Sequence, residues 1–275
     1  MIKLNKIYNE NCLDTMSRMN DNFIDLTVTS PPYDNLRTYD GYFFDFKSIA
    51  KELFRVTKVG GVVVWIVGDS TRKGSETGTS FNQALYFKEI GFNLHDTMIY
   101  SAKKMVMNHN RYEQEFEYMF IFAKGKPKTF NPIMIPTKQH GAKKRANDGK
   151  KTIAKLEKND TKRFRDEKWK VKPTKIKGNI WEYSIGFNGT TKDKIAFKHP
   201  AIFPEKLAND HIISWSNEND IVYDCFGGSG TTAKMSIVNN RNYIISEISK
   251  GYCNDIIKPR INDAIQERDT PNLFS

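Results

Sequence analysis

The sequence predicts an α/β fold built on a doubly wound, mostly parallel sheet, and three observations carry that prediction. Val62-Val63-Val64-Trp65-Ile66-Val67 is a continuous apolar run, as expected of a strand covered on both faces. Strand-like and helix-like stretches alternate around it in a β-α-β-α-β succession, which closes into a sheet with right-handed crossovers. Far downstream, the glycine-rich turn Asp224-Cys225-Phe226-Gly227-Gly228-Ser229-Gly230-Thr231-Thr232 separates another apolar strand from a helix.

In chain order, Lys3–Asn9 alternates weakly and reads as a short strand, and Asn11–Met16 opens a short helix. Ile24-Asp25-Leu26-Thr27-Val28-Thr29 is a strand that runs into Ser30-Pro31-Pro32-Tyr33. A polar, turn-rich loop covers Asp34–Tyr42. From Asp45 to Thr57, Phe46, Ile49, Ala50, Leu53, Phe54 and Val56 recur at helical spacing. The basic residue and glycines of Lys58-Val59-Gly60-Gly61 read as the end of that helix. Phe81–Ile90 is a further helix closed by Gly91, and Leu94–Ser101 with Phe116–Ala123 a strand pair. After a basic stretch, Pro204 suits a first helical position, with Leu207, Ile212, Ile213 and Trp215 as the apolar face. The strand Ile221–Asp224, a helix from Thr231 to about Val238, the strand Asn242–Glu247 and one helix over Tyr252–Glu267 complete the chain.

A chain of 275 residues accommodates one large domain and a smaller insertion. The expected division is 1–123 with 196–275 as the catalytic domain and 124–195 as the insertion. The formal net charge of +11 is concentrated. Over 124–178, Lys and Arg far outnumber Asp and Glu, leaving the remainder mildly acidic. This internal segment also holds Phe164 and Trp169, with Trp181 just beyond it and Pro132, Pro136 and Pro173 interspersed. It reads as a polyanion-binding element rather than a merely solvated surface. Met1–Tyr8 is too short and mixed for a secretory leader, and no apolar run would span a bilayer. Cys12, Cys225 and Cys253 lack CxxC spacing, which argues against disulfides or structural zinc and suits a reducing cytoplasm. His95, His109, His140, His199 and His211 show no ligand spacing, so no metal is expected.

Two stretches carry chemistry. A strand that stops at two prolines cannot extend its ladder, because neither has an N–H to give. Its carbonyls, the Ser30 hydroxyl and the Tyr33 ring could together hold a flat, amine-bearing ring. The strand–turn–helix–strand around Gly228 and Gly230 suits an adenosine-containing ligand. Both glycines would let the backbone approach it, while Ser229 and Thr231 lie where the helix N-terminus offers unpaired N–H groups. Glu247 would accept the ribose hydroxyls, and Asp224 would hold a cationic ammonium. A P-loop would need Gly-Lys-Ser/Thr, and the dinucleotide fingerprint and nucleophile elbow are likewise absent.

Ser-Pro-Pro-Tyr followed far downstream by Asp-x-Phe-x-Gly-Ser-Gly-Thr resembles the amino-methylating DNA methyltransferases. The order of the two motifs is similar to the β group, whose Rossmann-like methyltransferase sheet is circularly permuted. The resemblance covers the chain apart from about 130–195, the family's variable target-recognition region. It implies S-adenosyl-L-methionine as cofactor, with Asn11 and Cys12 beside the adenine, Pro200 and Phe203 packed around the cofactor, and Phe226 beside the methionine moiety. A turn asparagine and a buried cysteine are equally open readings of Asn11 and Cys12.

The resemblance further implies double-stranded DNA gripped by 124–178, a flipped base, and a prokaryotic or phage source. It allows, without requiring, a cognate restriction endonuclease and a homodimer. Ser30, Pro31, Pro32 and Tyr33 form the catalytic set. In the family, serine at the first motif position accompanies N4-cytosine more often than N6-adenine, so cytosine is the expected target and adenine the alternative. Carbon-5 chemistry would call for a Pro-Cys nucleophile, and no cysteine here follows a proline. A catalytically silent DNA-binding protein and an RNA methyltransferase are the rival readings.

Overall fold

The computed structural model describes residues 2–32, 44–101, 112, 114–137 and 172–270. The chain divides into a body, Met1–Asn131 with Asn179–Ser275, and a smaller unit, Pro132–Gly178. Residues 124–131 and 179–195, assigned to the insertion from sequence, therefore sit in the body.

The body's elements are β1 (Lys6–Tyr8), α1 (Cys12–Ser17), β2 (Ile24–Thr29), α2 (Phe46–Val56), β3 (Thr57–Val67), the hairpin β4 (Thr71–Arg72) and β5 (Ser75–Glu76), α3 (Thr79–Glu89), β6 (Asn93–Ser101) and β7 (Phe116–Ala123). In the smaller unit, β8 (Met134–Pro136) pairs antiparallel with β9 (Thr174–Ile176). The body resumes with β10 (Ile180–Glu182), a 3-10 turn (Lys194–Lys198), α4 (Glu205–Trp215), β11 (Ile221–Asp224), α5 (Thr231–Val238), β12 (Asn242–Ser246), α6 (Lys250–Tyr252), a π-turn (Cys253–Ile257) and α7 (Lys258–Asp269).

Eight strands form the main sheet in the order β1-β12-β11-β2-β3-β7-β6-β10. β7 runs antiparallel to both its neighbours, and every other pairing in the sheet is parallel. Successive side chains of a strand point to opposite faces, and here both faces are covered. Val63, Trp65 and Val67 of β3 join Met16 of α1, Leu53 of α2 and Phe87 of α3 in one core. Tyr243 and Ile245 of β12 join Ala233 and Ile237 of α5 and Ile261 and Ala264 of α7 in another. The Trp65 indole N–H, fully buried, donates to Gln83 Oε1 at 2.8 Å, which satisfies the one polar group of that side chain.

Several expectations move. β1 is shorter than Lys3–Asn9, because Asn5 takes a positive φ of 57° that breaks the extended run. The glycines after α2 do not cap it. Thr57 ends the helix, its hydroxyl donating to the Leu53 carbonyl, and β3 starts at once beside Ile24. Gly61 instead lies where a Cβ would stand 2.9 Å from the Asp25 carbonyl, so it serves close strand pairing. Pro204 is the residue before α4 rather than its first, and Ile213 turns out to solvent. The C-terminal helix is interrupted by the π-turn just ahead of Pro259. Proline lacks an N–H and crowds the carbonyl four residues back, and a wider turn accommodates it. Trp181, read from sequence with the polyanion-binding aromatics, is buried in β10 against His211. Phe164 and Trp169, like the loop Asp34–Tyr42, lie outside the described residues.

Candidate active site

β2 and β11 are adjacent parallel strands, Tyr223 opposite Thr27. Their carboxyl ends therefore emerge side by side, although 195 residues separate Thr29 from Asp224 in sequence. The Thr29 hydroxyl donates to Asp224 Oδ1 at 2.7 Å. The Phe226 amide donates to the same oxygen at 3.0 Å, and the Thr232 hydroxyl to Oδ2 at 2.8 Å. One carboxyl thus ties the last residue of β2, the turn after β11 and the first helical turn of α5. Ser30 and Pro31 begin one residue beyond that tie.

The sequence reading gave Asp224 a cofactor ammonium, but the structure places it elsewhere. It is 1 % exposed and does not line the cleft described below. Burial pushes its carboxyl up to about 7, opposed by the three donors and reinforced by the nearby charge of Glu247.

The turn itself is pinned at several points. The Gly227 amide donates to the Ser246 carbonyl at 2.8 Å, and the Gly230 amide to the Gly227 carbonyl at 2.7 Å. Glu247, just past β12, accepts from the Gly228 amide at 2.8 Å and the Ser249 amide at 2.7 Å. Burial raises the Glu247 carboxyl above its usual range, against the pull of those amides. Gly228 has φ +52°, and a Cβ there would stand 3.2 Å from the His199 ring, so this glycine admits a close approach. Gly230 differs from its expected role. It does not line the cleft, and with φ +76° its missing Cβ makes room for Ile257, 2.8 Å from where that atom would be.

Beneath the turn lies an ion network that sequence reasoning missed. Arg260 of α7 is 1 % exposed and donates to the Ser229 carbonyl at 2.6 Å, Glu205 Oε1 at 2.6 Å and Asp193 Oδ2 at 2.9 Å. Lys234 of α5 donates to the same two carboxylates at 3.0 and 2.8 Å. Two cations and two anions thus compensate one another at low exposure. They fix the backbone of Ser229 and both ends of the segment that carries His199–Phe203.

A cleft of about 520 Å³ opens at the carboxyl ends of β2, β11 and β12, within the size range of small-molecule sites. Ser30, Pro31 and Pro32 line it together with Phe226, Gly228, Ser229 and Thr231. Asn11, Cys12, Pro200, Phe203 and Glu247 complete the residues that sequence had singled out. Asn11 also caps α1, accepting from the Leu13 amide at 2.9 Å, and Cys12 is buried, so both alternative readings of that pair hold as well. Tyr33 lies outside the described residues.

The cleft adds residues that sequence did not flag. Ile248, directly after Glu247, is 47 % exposed, an apolar side chain offered to the opening. Its position just past the acid was a usable signal. Tyr252 meets His199 edge to face at 4.6 Å. Tyr100 and Glu117 face each other across β6 and β7, where only strand register brings them to the cleft. Burial raises the Tyr100 hydroxyl well above its ordinary value, helped by the Glu117 charge, so it stays a donor.

The lining suits an adenosine-bearing sulfonium compound: the Glu247 carboxylate, the backbone of the glycine turn at Gly228, and apolar walls at Phe203, Phe226 and Ile248. Among the described residues no group of His, Cys, Asp and Glu could hold a metal ion, and no helix is long and apolar enough to cross a membrane.

The DNA methylase family matches this chain over residues 24–258. The orphan methyltransferase M.BamHII of Bacillus amyloliquefaciens is 59% identical over 245 residues, covering 88% of this chain and 90% of its own. The type II methyltransferase M.BglII of Bacillus subtilis is 26% identical over 281 residues, covering 98% and 72%. Among solved structures, the cytosine-N4-specific PvuII DNA methyltransferase superposes with a TM-score of 0.65 at 19% identity, over 96% of this chain and 92% of that one. The M1.HpyAVI–SAM complex gives 0.59 at 22% identity, over 94% and 98%. These two likenesses are of fold, the Rossmann-like methyltransferase sheet. The chain belongs to the DNA methylase family, as an S-adenosylmethionine-dependent amino-methyltransferase of DNA.

Proposed function

We propose that the amino group methylated is N4 of a cytosine flipped out of double-stranded DNA. The observation that carries this reading is the Ser30–Pro31 corner opening into the same cleft as the glycine turn. An exocyclic amine is a poor nucleophile because its lone pair is delocalised into the ring. Ser30 Oγ and the Pro31 carbonyl each accept one of its N–H bonds, which turns the nitrogen towards a tetrahedral geometry with the lone pair available. S-adenosylmethionine supplies an electrophilic sulfonium methyl. Ser30 and Pro31 would hold the amine with its lone pair turned to that methyl, and the proton the nitrogen gives up on methylation would pass to water. Holding the two reactants in register lowers such a barrier by roughly 7–11 kcal/mol. The base must leave the duplex to reach the cleft, and Tyr33 stacks on it.

On the cofactor side, Glu247 holds the ribose hydroxyls while Pro200, Phe203, Phe226 and Ile248 wall the adenine and methionine ends. Asn11 and Cys12 stand beside the purine, and Gly228, Ser229 and Thr231 present backbone to the ligand. Asp224 and Gly230 shape the site without touching it. The basic segment 124–178 grips phosphates and reads base edges. Serine at the first motif position, which in the family accompanies N4-cytosine more often than N6-adenine, supports cytosine as the target. The enzyme works in the cytoplasm, and this reading allows, without requiring, a cognate endonuclease and a second copy as further partners.

Mass analysis of nucleosides from DNA treated with the enzyme decides the base. N4-methylcytosine is expected, and N6-methyladenine without it overturns the assignment. Tritium transfer from labelled cofactor by the wild type and by Pro31→Ala separates enzyme from silent binder, since equal background counts in both would leave only a DNA-binding protein. RNA as the better acceptor would redirect the reading to RNA.

A further inference from the structure

Between β3 and α3 the chain makes a small hairpin that the reaction does not use. β4 and β5 pair antiparallel, Thr71 with Glu76 and Arg72 with Ser75. The turn is Lys73-Gly74, with φ of +48° and +78°. Two left-handed residues in a two-residue loop make a tight turn whose twist matches that of its strands. Every residue from Thr71 to Glu76 is exposed, so the hairpin adds nothing to the core.

It is nonetheless held firmly. The Thr77 amide donates to the Ser70 carbonyl at 3.0 Å, closing the base of the hairpin. Asp69 accepts from the Ser80 amide at 2.9 Å and from the hydroxyls of Ser80 and Thr77, joining the hairpin to the start of α3. An isolated two-stranded hairpin is marginal in water. These bonds keep this one in place at no gain in buried apolar surface, which calls for another use.

Its position supplies one. Thr29 pairs with Trp65, so Val67 lies two residues, or about 7 Å, past the level at which β2 gives way to Ser30. β2 and β3 are neighbours, and the hairpin therefore rises from the same rim as the amine-accepting corner, one strand away. A duplex that delivers a base to Ser30 must lie along that rim. Arg72 and Lys73 put two cations at the tip, in a chain that is mildly acidic outside 124–178.

We propose that the β4–β5 hairpin is a second DNA-binding element, separate from the basic segment 124–178, whose Arg72 and Lys73 contact backbone phosphates flanking the flipped base. Such contacts set register and orientation without reading sequence. The rigid turn presents them at little ordering cost. The inference rests on DNA as the substrate and is independent of which base is methylated.

The test is the salt dependence of binding to a fluorescein-labelled duplex of mixed sequence, followed by anisotropy between about 50 and 200 mM salt. The variants are Lys73→Asn, Arg72→Gln and the two combined, in the full chain. Asn-Gly favours this turn, so Lys73→Asn removes the charge and keeps the hairpin. Each lost phosphate contact lowers the slope of log affinity against log salt by about 0.9, hence by about 2 for the pair. Affinity near 100 mM salt should fall on the order of tenfold or more for the double variant. The melting temperature should stay at the wild-type value. An unchanged slope overturns the proposal, even if affinity falls, because a weakened contact that releases no counterion is not a phosphate contact. A failure of methyl transfer to cytosine would leave this binding result standing, so the two readings fail separately.

Discussion

At Asp224 three donors converge on one buried carboxyl, and that convergence has a consequence for stability. Burial pushes this carboxyl up to about 7, against about 3.9 in an unfolded chain. A raised carboxyl binds its proton more tightly in the native state. Its contribution to stability is therefore full below about pH 4 and is lost as the pH climbs through about 7. Asp224→Asn removes the titration while keeping an oxygen to accept from Thr29 and Phe226. The new amide meets Thr232, whose hydroxyl can turn to the Val28 carbonyl 3.2 Å away. The melting temperature of Asp224→Asn should gain on that of the wild type as pH rises from about 4 to 7, by an amount worth a few kcal/mol at most. Parallel melting curves for the two proteins across that range would contradict the burial account. The residue scale also shows where sequence misleads. An acid at the end of a cofactor strand looks like a ligand for a cation, and only the neighbouring strand reveals Thr29 as its partner.

Among the elements, the turn between β11 and α5 separates two uses of glycine that one motif had merged. Gly228 opens towards the cleft beside His199, whereas Gly230 packs on Ile257 of the π-turn. Gly230→Ala places a Cβ at φ +76° and against that side chain. It should destabilise by about 1–3 kcal/mol through strain and overpacking, and lower the melting temperature by several degrees. Cofactor affinity per folded molecule, measured by calorimetry, should change far less than for Gly228→Ala. The opposite ranking would return Gly230 to the ligand. The elements themselves were largely legible. Apolar runs such as Val62–Val67 and the helical spacing of Ile49, Leu53 and Val56 depend on local pattern, and pattern survives in sequence. What local pattern does not carry is register. Tyr100 meets Glu117, and Arg260 meets Glu205 and Asp193, through partners tens of residues away. The π-turn ahead of Pro259 and the early start of β3 likewise answer to neighbours rather than to propensity.

For the whole molecule, the governing fact is that two motifs at opposite ends of the chain share one rim. The glycine turn and its fit to an adenosine-containing ligand were readable from residue types, whereas the pairing of the two motifs and the identity of the cofactor came from the family resemblance. Their adjacency follows from the strand order β12-β11-β2-β3. The Thr29–Asp224 hydrogen bond is its closest expression. Thr29 touches neither reactant, so it can influence methyl transfer only by holding Ser30 and Pro31 against the cofactor turn. The most direct measurement is a double-mutant cycle of Thr29→Val and Asp224→Ala, each of which removes the bond, read as the methyl-transfer rate at saturating DNA and cofactor. If the bond aligns the two halves of the site, the double variant should be little slower than the slower single one, a coupling of about 1–3 kcal/mol. Rate losses that simply multiply would show that the two ends of the site are held independently, and would contradict the account.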